Sequence, residues 1–263
     1  NMMAATSQNE APTVKKAYSY TSAIYERATS VKSCTAAKLT TCFNDAQGTG
    51  TDNIAMYIRE DVEWLDLTYA TNGNITPKVK YTGDVDAKTE FIFTLECIDK
   101  NGASAKTTAS LSITPRIYKP AITEPEITII TDSVLVGTIP VTDIFNYTAS
   151  KTNLTFTTEV KNINDNSLID NAVIDADGNL VITAVENAKG CTEIEVAQTI
   201  SHKTYGTKTF SAMIPVILES KLPSSIENIN SDNRNIYYFD GALFINNCGG
   251  ATASIYDVAG NLI

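Results

Sequence analysis

A chain of 263 residues, 43% hydrophobic and 19% charged, is long enough to bury a real core as one large domain or two of ordinary size. Its 20 basic and 30 acidic side chains leave a net charge of −10, a surface that repels phosphate backbones and makes nucleic acid a poor partner. No run of 18 apolar residues occurs, so no transmembrane segment is expected.

Asn1–Pro12 reads as a flexible start, without the basic and apolar regions of a signal peptide. Ser19–Ser33 is the stretch nearest to a helical period, but its Thr and Tyr content argues against a helix. Cys34 and Cys42 are close enough in sequence to pair. With Cys97, Cys191 and Cys248 they make five, so a monomer keeps at least one free thiol. The cysteines are too sparse for a disulfide-stapled scaffold, and a single histidine, His202, leaves no His-rich zinc site.

Val62–Tyr69 alternates with period 2. Leu65, Leu67 and Tyr69 are predicted to face the core, and Val62, Trp64, Asp66 and Thr68 to face outward. An outward Trp beside carboxylates is how a β-sandwich stacks on a sugar ring, so Trp64 and Asp66 are the candidate ligand contacts. The competing reading packs Trp64 into the core or under a loop. Glu60, Asp61, Glu63 and Asp66 supply paired carboxylates of the kind glycoside hydrolysis needs, but the favoured reading is a solvated acidic edge that resists aggregation.

Further along, Phe91, Phe93, Leu95 and Cys97 share one face of a strand. Asp99-Lys100-Asn101-Gly102 turns the chain and Lys106–Ile113 returns it. Short strands of this kind recur almost throughout, which predicts an all-β chain. An internal repeat organises them. Thr41-Cys42-Phe43-Asn44 recurs as Asp143-Ile144-Phe145-Asn146, Asn72-Gly73-Asn74-Ile75 as Asp177-Gly178-Asn179-Leu180, and Ala105-Lys106-Thr107-Thr108 as Thr207-Lys208-Thr209-Phe210. The order is kept and the displacement is roughly 100 residues each time, the size of one immunoglobulin-like sandwich. Between the copies, Thr114–Glu126 holds Pro115, Pro120 and Pro125 and reads as a stiff connection. Tryptic cutting is expected at Arg116 or Lys119 unless the stretch packs down. The expected domains are residues 1–116 and 120–219, two tandem immunoglobulin-like β-sandwiches, and residues 223–263, a small partial β-domain.

The two repeats, with Phe145, Asp177–Ile182 and Ser201–Lys208 as their marks, resemble the cadherin-like and immunoglobulin-like modules of bacterial surface proteins. Cadherin repeats hold calcium through acidic motifs at the module junction. This chain departs from that pattern, offering only Glu124 and Glu126 between its repeats. The end of the chain, Ser224–Ile263, carries Asp240-Gly241 and the strand-and-turn Ile255-Tyr256-Asp257-Val258-Ala259-Gly260. It resembles the C-terminal sorting domains (Por secretion type) of secreted Bacteroidetes proteins, cut short of the family's final hairpin. The resemblance implies a secreted or cell-surface, outer-membrane-associated protein.

No nucleophile elbow, zinc-protease, phosphate-loop or dinucleotide motif occurs, so no catalytic residue, cofactor or metal site is expected. His202 reads as an exposed turn residue. Asp175 and Asp177 read as turn residues too, since the equivalent Asn72-Gly73-Asn74 lacks their carboxylates. The Asn-x-Thr sequons at Asn74, Asn146 and Asn153 follow from the abundance of Asn and Thr. The functional expectation is a non-enzymatic surface module acting in adhesion, spacing or presentation, with surface proteins or glycans as partners. The alternative is a carbohydrate-binding module or the accessory region of a larger surface glycan hydrolase.

Overall fold

The computed structural model describes residues 9–46, 54–220, 235–239 and 242–246. Over these residues the chain is all-β, as its alternating Val, Ile, Thr, Tyr and Phe require. Helix is confined, among the described residues, to two single turns, α1 (Leu39–Cys42) and α2 (Val141–Ile144). The chain divides into two compact units. One comprises Asn1–Ala121, Tyr147–Thr157 and Thr199–Phe210, the other Ile122–Asn146, Thr158–Gln198 and Ser211–Ile263.

The first unit opens with β1 (Thr13–Val14) and β2 (Tyr18–Tyr25), a strand within the stretch nearest to a helical period. There follow β3 (Lys32–Ser33), β4 (Phe43–Asn44), β5 (Ala55–Ile58), β6 (Leu65–Tyr69), β7 (Ile75–Val79), β8 (Thr89–Ile98) and β9 (Ser104–Thr114). Four strands form one sheet in the order β2-β9-β8-β5, with β2 parallel to β9. Three form another in the order β3-β7-β6. Both sheets send apolar side chains into a single core: Ile24, Met56, Leu95, Leu111 and Ile113 from the first, and Leu65, Ile75 and Val79 from the second. Phe43, wholly buried, fills that core from the short β4. The face predicted for Phe93, Leu95 and Cys97 is buried, while Phe91 is partly covered at its end. At the β8–β9 turn the Asp99 carboxylate accepts N–H bonds from Asn101 (2.8 Å) and Ala103 (2.9 Å), and Gly102 takes a φ of +87° that side chains rarely tolerate.

The later elements are β10 (Ala121–Ile122), β11 (Ile127–Ile130), β12 (Val136–Pro140), β13 (Phe145–Asn146), β14 (Leu154–Ile163), β15 (Ile169–Ile174), β16 (Asn179–Ala184), β17 (Gly190–His202) and β18 (Gly206–Glu219). They form a sheet ordered β11-β18-β17-β14, with β11 parallel to β18, and a sheet ordered β12-β16-β15. Strands β14, β17 and β18 contribute residues to both compact units. Within the second unit, Ile129, Ile139, Ile144, Ile169, Leu180, Ile182, Ile194 and Ile214 are buried. Packing there is close: a Cβ at Gly137 would lie 2.5 Å from Ile127 Cδ1.

The three repeated tetrapeptides fall on corresponding elements. Phe43-Asn44 follows α1 as Phe145-Asn146 follows α2. Gly73 (φ +80°) and Gly178 (φ +82°) turn the chain before β7 and β16. Ala105–Thr108 and Thr207–Phe210 open the long strands β9 and β18. Of the C-terminal segment, the antiparallel pair β19 (Asn235–Phe239) and β20 (Ala242–Asn246) is described, and the rest of Ser224–Ile263 lies outside the described residues.

The first half of Thr114–Glu126 is packed down, with Pro115 and Pro120 buried, whereas Ala121, Thr123, Glu124 and Glu126 are exposed. Ile117 is fully buried, and the N–H groups of Arg116 and Ile117 donate to Glu26 Oε1 at 2.8 and 3.2 Å. Lys119 N–H donates to the Asp86 carbonyl at 2.9 Å.

Among the described residues Cys34, Cys42 and Cys97 are buried free thiols and Cys191 is exposed. The Cys34–Cys42 pair is therefore two thiols here, not a disulfide. Burial pushes the Cys34 and Cys97 thiols up to about 11. In a Cys248→Ser background, a thiol reagent at neutral pH is expected to label one cysteine, Cys191, in the native chain and four after urea. Rapid native labelling of Cys34 or Cys97 would contradict this packing.

Candidate functional site

Trp64 departs from the period-2 expectation in an informative way. Strand β6 begins at Leu65 rather than Val62, because the chain turns first. Leu65 N–H donates back to the Val62 carbonyl at 3.0 Å, and Lys80 N–H donates to the Trp64 carbonyl at 2.9 Å. The turn breaks the alternation, and the indole lies half-buried against the edge of the core. It meets Phe91 at 5.0 Å, Tyr81 at 5.4 Å and Phe93 at 5.9 Å, all edge-on. Downstream, Leu65 is buried and Asp66 and Thr68 are exposed as predicted. Tyr69, predicted to face the core, is instead 51% exposed and leans on Tyr57. The inward register outlasts the core, so the last inward residue of the strand meets solvent.

Trp64 and Asp66 nonetheless line one cleft, of about 520 Å³, with Glu63, Lys78, Lys80 and Tyr81. Asp66 sits directly across from Lys78 in the β6–β7 ladder, which places both on the outer face of the three-stranded sheet. The cleft therefore combines aromatic edges, two carboxylates and two ammonium groups.

The other candidates separate from this cleft chemically. Glu60 is tied to β8: its carboxylate accepts the Thr94 N–H (2.7 Å) and hydroxyl (2.6 Å). Partial burial raises its pKa, and the Thr94 bonds outweigh that and hold it below the ordinary carboxylate range. Asp61, Glu63 and Asp66 are exposed. The Asp175 carboxylate is filled by its own turn, accepting N–H bonds from Asn179 (2.8 Å) and Asp177 (2.9 Å), which lower its pKa. Its partner in the first repeat, Asn72, accepts the Asn74 N–H in the same manner at 3.2 Å. His202 ends β17. Its Nδ1 accepts the Thr204 N–H at 3.1 Å, and its ring leans on Tyr205. The ring is half-buried rather than exposed as expected, and burial, then the charge of Arg116, lowers its pKa. Among the described residues no three His, Cys, Asp or Glu side chains converge as metal ligands.

Sequence reasoning missed the most heavily engaged polar group of the first unit. Glu26 is fully buried. Besides the Arg116 and Ile117 N–H groups it accepts the Val85 N–H (2.7 Å) and the Lys208 ammonium (2.9 Å), and Lys208 is itself buried and also donates to the Val85 carbonyl (2.7 Å). Beside this pair, the Arg27 guanidinium holds the Asp84 carboxylate and donates to the Tyr205 and Thr207 carbonyls at 2.6 and 3.0 Å. The hydrogen bond from Arg27 holds Asp84 below the ordinary carboxylate range. A signal existed: Glu26 shares the inward register of Ile24, and Lys208 that of Phe210 and Ala212. Two opposite charges, each on the apolar face of a strand, require a partner.

The fold and cleft define an all-β protein built of paired antiparallel sheets with mixed edges. No protein-family model and no curated protein matches the chain. Among solved structures it is similar to an endo-fucoidan hydrolase from glycoside hydrolase family 107 (14% identity over 84% of this chain and 30% of that one, TM-score 0.33). It is also similar to Drosophila N-cadherin EC1-3 (13% identity, 81% of this chain and 68% of that one, TM-score 0.28). A third is a SusE-like surface located polysaccharide binding protein from the Bacteroides thetaiotaomicron heparin utilisation locus (14% identity, 86% and 36%, TM-score 0.26). The chain spans under a third of the first of these proteins, and at these scores none of the likenesses assigns it an activity.

Proposed function

We propose that this chain is a non-enzymatic module of a secreted or cell-surface protein, with tandem sandwiches that space or present other parts of that protein. One observation carries the reading: the proline-rich stretch is not loose chain at its start, because Arg116 and Ile117 are held within the first unit by the buried Glu26–Lys208 cluster. Three prolines limit its backbone, and Glu26 holds Arg116 and Ile117 by their amides. The resemblance of Ser224–Ile263 to sorting domains supports a surface address. Hydrogen exchange tests how firmly this stretch is held. The Arg116 and Ile117 amides are expected to exchange as slowly as those of β9, and trypsin to spare Arg116 in the native chain. Exchange within seconds would make this stretch a flexible linker and remove the basis for a spacer.

A second reading, carbohydrate binding, is favoured by the cleft at Trp64. Its indole and Tyr81 offer aromatic surface, and Asp66, Glu63 and the two lysines offer hydrogen bonds to hydroxyls. On a glycan array, Asp66→Asn and Lys78→Gln are expected to lower any captured signal at least tenfold while leaving the melting temperature unchanged. Capture indifferent to both substitutions would place binding elsewhere.

A further inference from the structure

We propose that the outer face of the β12-β16-β15 sheet is a docking surface for this chain's own C-terminal segment, the part beyond Ser220 that includes the hairpin β19–β20. Alternation along these strands turns Ile139, Leu180, Ile182 and Ala172 into the core. It leaves Val136, Thr138, Val181, Thr183, Asn171 and Val173 on the opposite face. These six positions adjoin: Val181 lies between Thr138 and Val173 in the ladder, and Thr183 between Val136 and Asn171. Val136 and Val173 are 47% and 44% exposed, and Val134, just before β12, is 59% exposed. Asp170 is the one charged residue of the three strands, and it falls where the ladder register shifts. The counterpart sheet of the first unit, β3-β7-β6, instead sets Asp66 opposite Lys78 on its outer face, as a solvated sheet does. An uncharged face studded with valines, in a chain of net charge −10, is a surface for another apolar surface rather than for water.

The course of the chain says what covers it. Strand β18 ends at Glu219, whose carbonyl accepts the Thr131 N–H at 2.7 Å and the Thr131 hydroxyl at 3.1 Å. Val134 follows three residues after Thr131, so the C-terminal segment leaves β18 at the Val134 end of the face, within the same compact unit. Between Ser220 and β19 lie 14 residues, 221–234. Fully extended they span about 45–50 Å, enough to lay a hairpin anywhere on a sheet of this size. The hairpin in turn needs a neighbour. Its ladder pairs Ile236 with Ile245, Tyr237 with Phe244 and Tyr238 with Leu243. Successive ladder positions face opposite ways, so both of its faces are apolar, and two strands alone are marginally stable in water. Neither strand carries a charge, which suits a face that offers none in return. In the first unit β9 leads instead into the packed Arg116–Ile117, and there the counterpart face is charged. A tether of this length holds the segment at an effective concentration on the order of millimolar, which favours it over a second copy of the chain.

Thiol labelling of the full chain tests this in a Cys191→Ser/Cys248→Ser background. Val136→Cys probes the face, and Ile92→Cys, at a position 62% exposed on β8 of the first unit, is the open control. The Val136→Cys thiol is expected to react at least tenfold more slowly than the Ile92→Cys thiol. Adding Phe244→Asp or Ile245→Asp, at neighbouring positions of the hairpin, should restore the fast rate while the β16 amides stay protected against exchange. Removing residues 221–263 should release the face in the same way. Equal labelling of Val136→Cys and Ile92→Cys in the full chain would overturn the proposal. Slow labelling at 136 that neither Asp substitution nor the deletion relieves would overturn it too. If that slow labelling deepened with protein concentration, the occupant would be a second copy instead of the chain's own segment.

Discussion

Glu26→Ala is expected to lower the unfolding free energy by about 3–5 kcal/mol, the cost of removing one partner from a buried ion pair. The variant leaves the Lys208 ammonium buried beside the Val85 carbonyl with no carboxylate but the distant Asp86, 4.0 Å away and exposed. It also strands the amides of Val85, Arg116 and Ile117, each of which donates to Glu26. Lys208→Met should cost less, because Glu26 keeps its three amide donors and the methionine fills the volume of the lysine stem. Urea denaturation of Glu26→Gln, Lys208→Met and Glu26→Gln/Lys208→Met closes a mutant cycle and gives the coupling directly. A double variant more stable than Glu26→Ala by 1 kcal/mol or more is expected, since no unpaired charge then remains. If Glu26→Ala lost under 1 kcal/mol, the pair would be hydrated and would not be what holds Arg116 and Ile117 in place.

The second large effect is expected at the repeated Phe-Asn positions. Phe43 is fully buried and Phe145 is 3% exposed, so each alanine substitution should cost about 3–5 kcal/mol through lost burial and the cavity left behind. The pair also tests the domain organisation. Phe43 belongs to the first compact unit and Phe145 to the second. If the two sandwiches fold independently, Phe43→Ala should lower one calorimetric transition and Phe145→Ala the other. A single transition shifted alike by both substitutions would make the chain one cooperative body and remove the proposed limits at 1–116 and 120–219.

The sequence carried much of the fold because β-structure is written in short-range alternation. Phe93, Leu95 and Cys97 declare an inward face by spacing alone, and Asp99-Lys100-Asn101-Gly102 declares the turn. Where a turn interrupts a run, alternation misleads: Val62–Tyr69 reads as one strand, yet Leu65 begins it and Trp64 swings onto the core edge. The candidate site was legible as residue types, Trp64 with Asp66, and the structure adds that the two share a cleft with Lys78 and Lys80. The positive charges of that cleft come from β7 and the residue that follows its end, and no local pattern specifies the register of β7 against β6.

What the sequence by itself determined is the all-β class, the repeat of the Phe-Asn, Asn/Asp-Gly and late-strand positions, and the turn roles of Asp99, Asp175 and Asn72. These follow from side-chain chemistry acting over a few residues. Only the tertiary structure decided that Glu26 meets Lys208 across 182 positions, that Arg116 lies on Tyr205, and that the start of the proline-rich stretch is held down between them. A buried charge states only that some counter-charge must exist. Which one supplies it depends on the strand order and register that bring distant segments within about 3 Å, and those are set by the packing of the whole core.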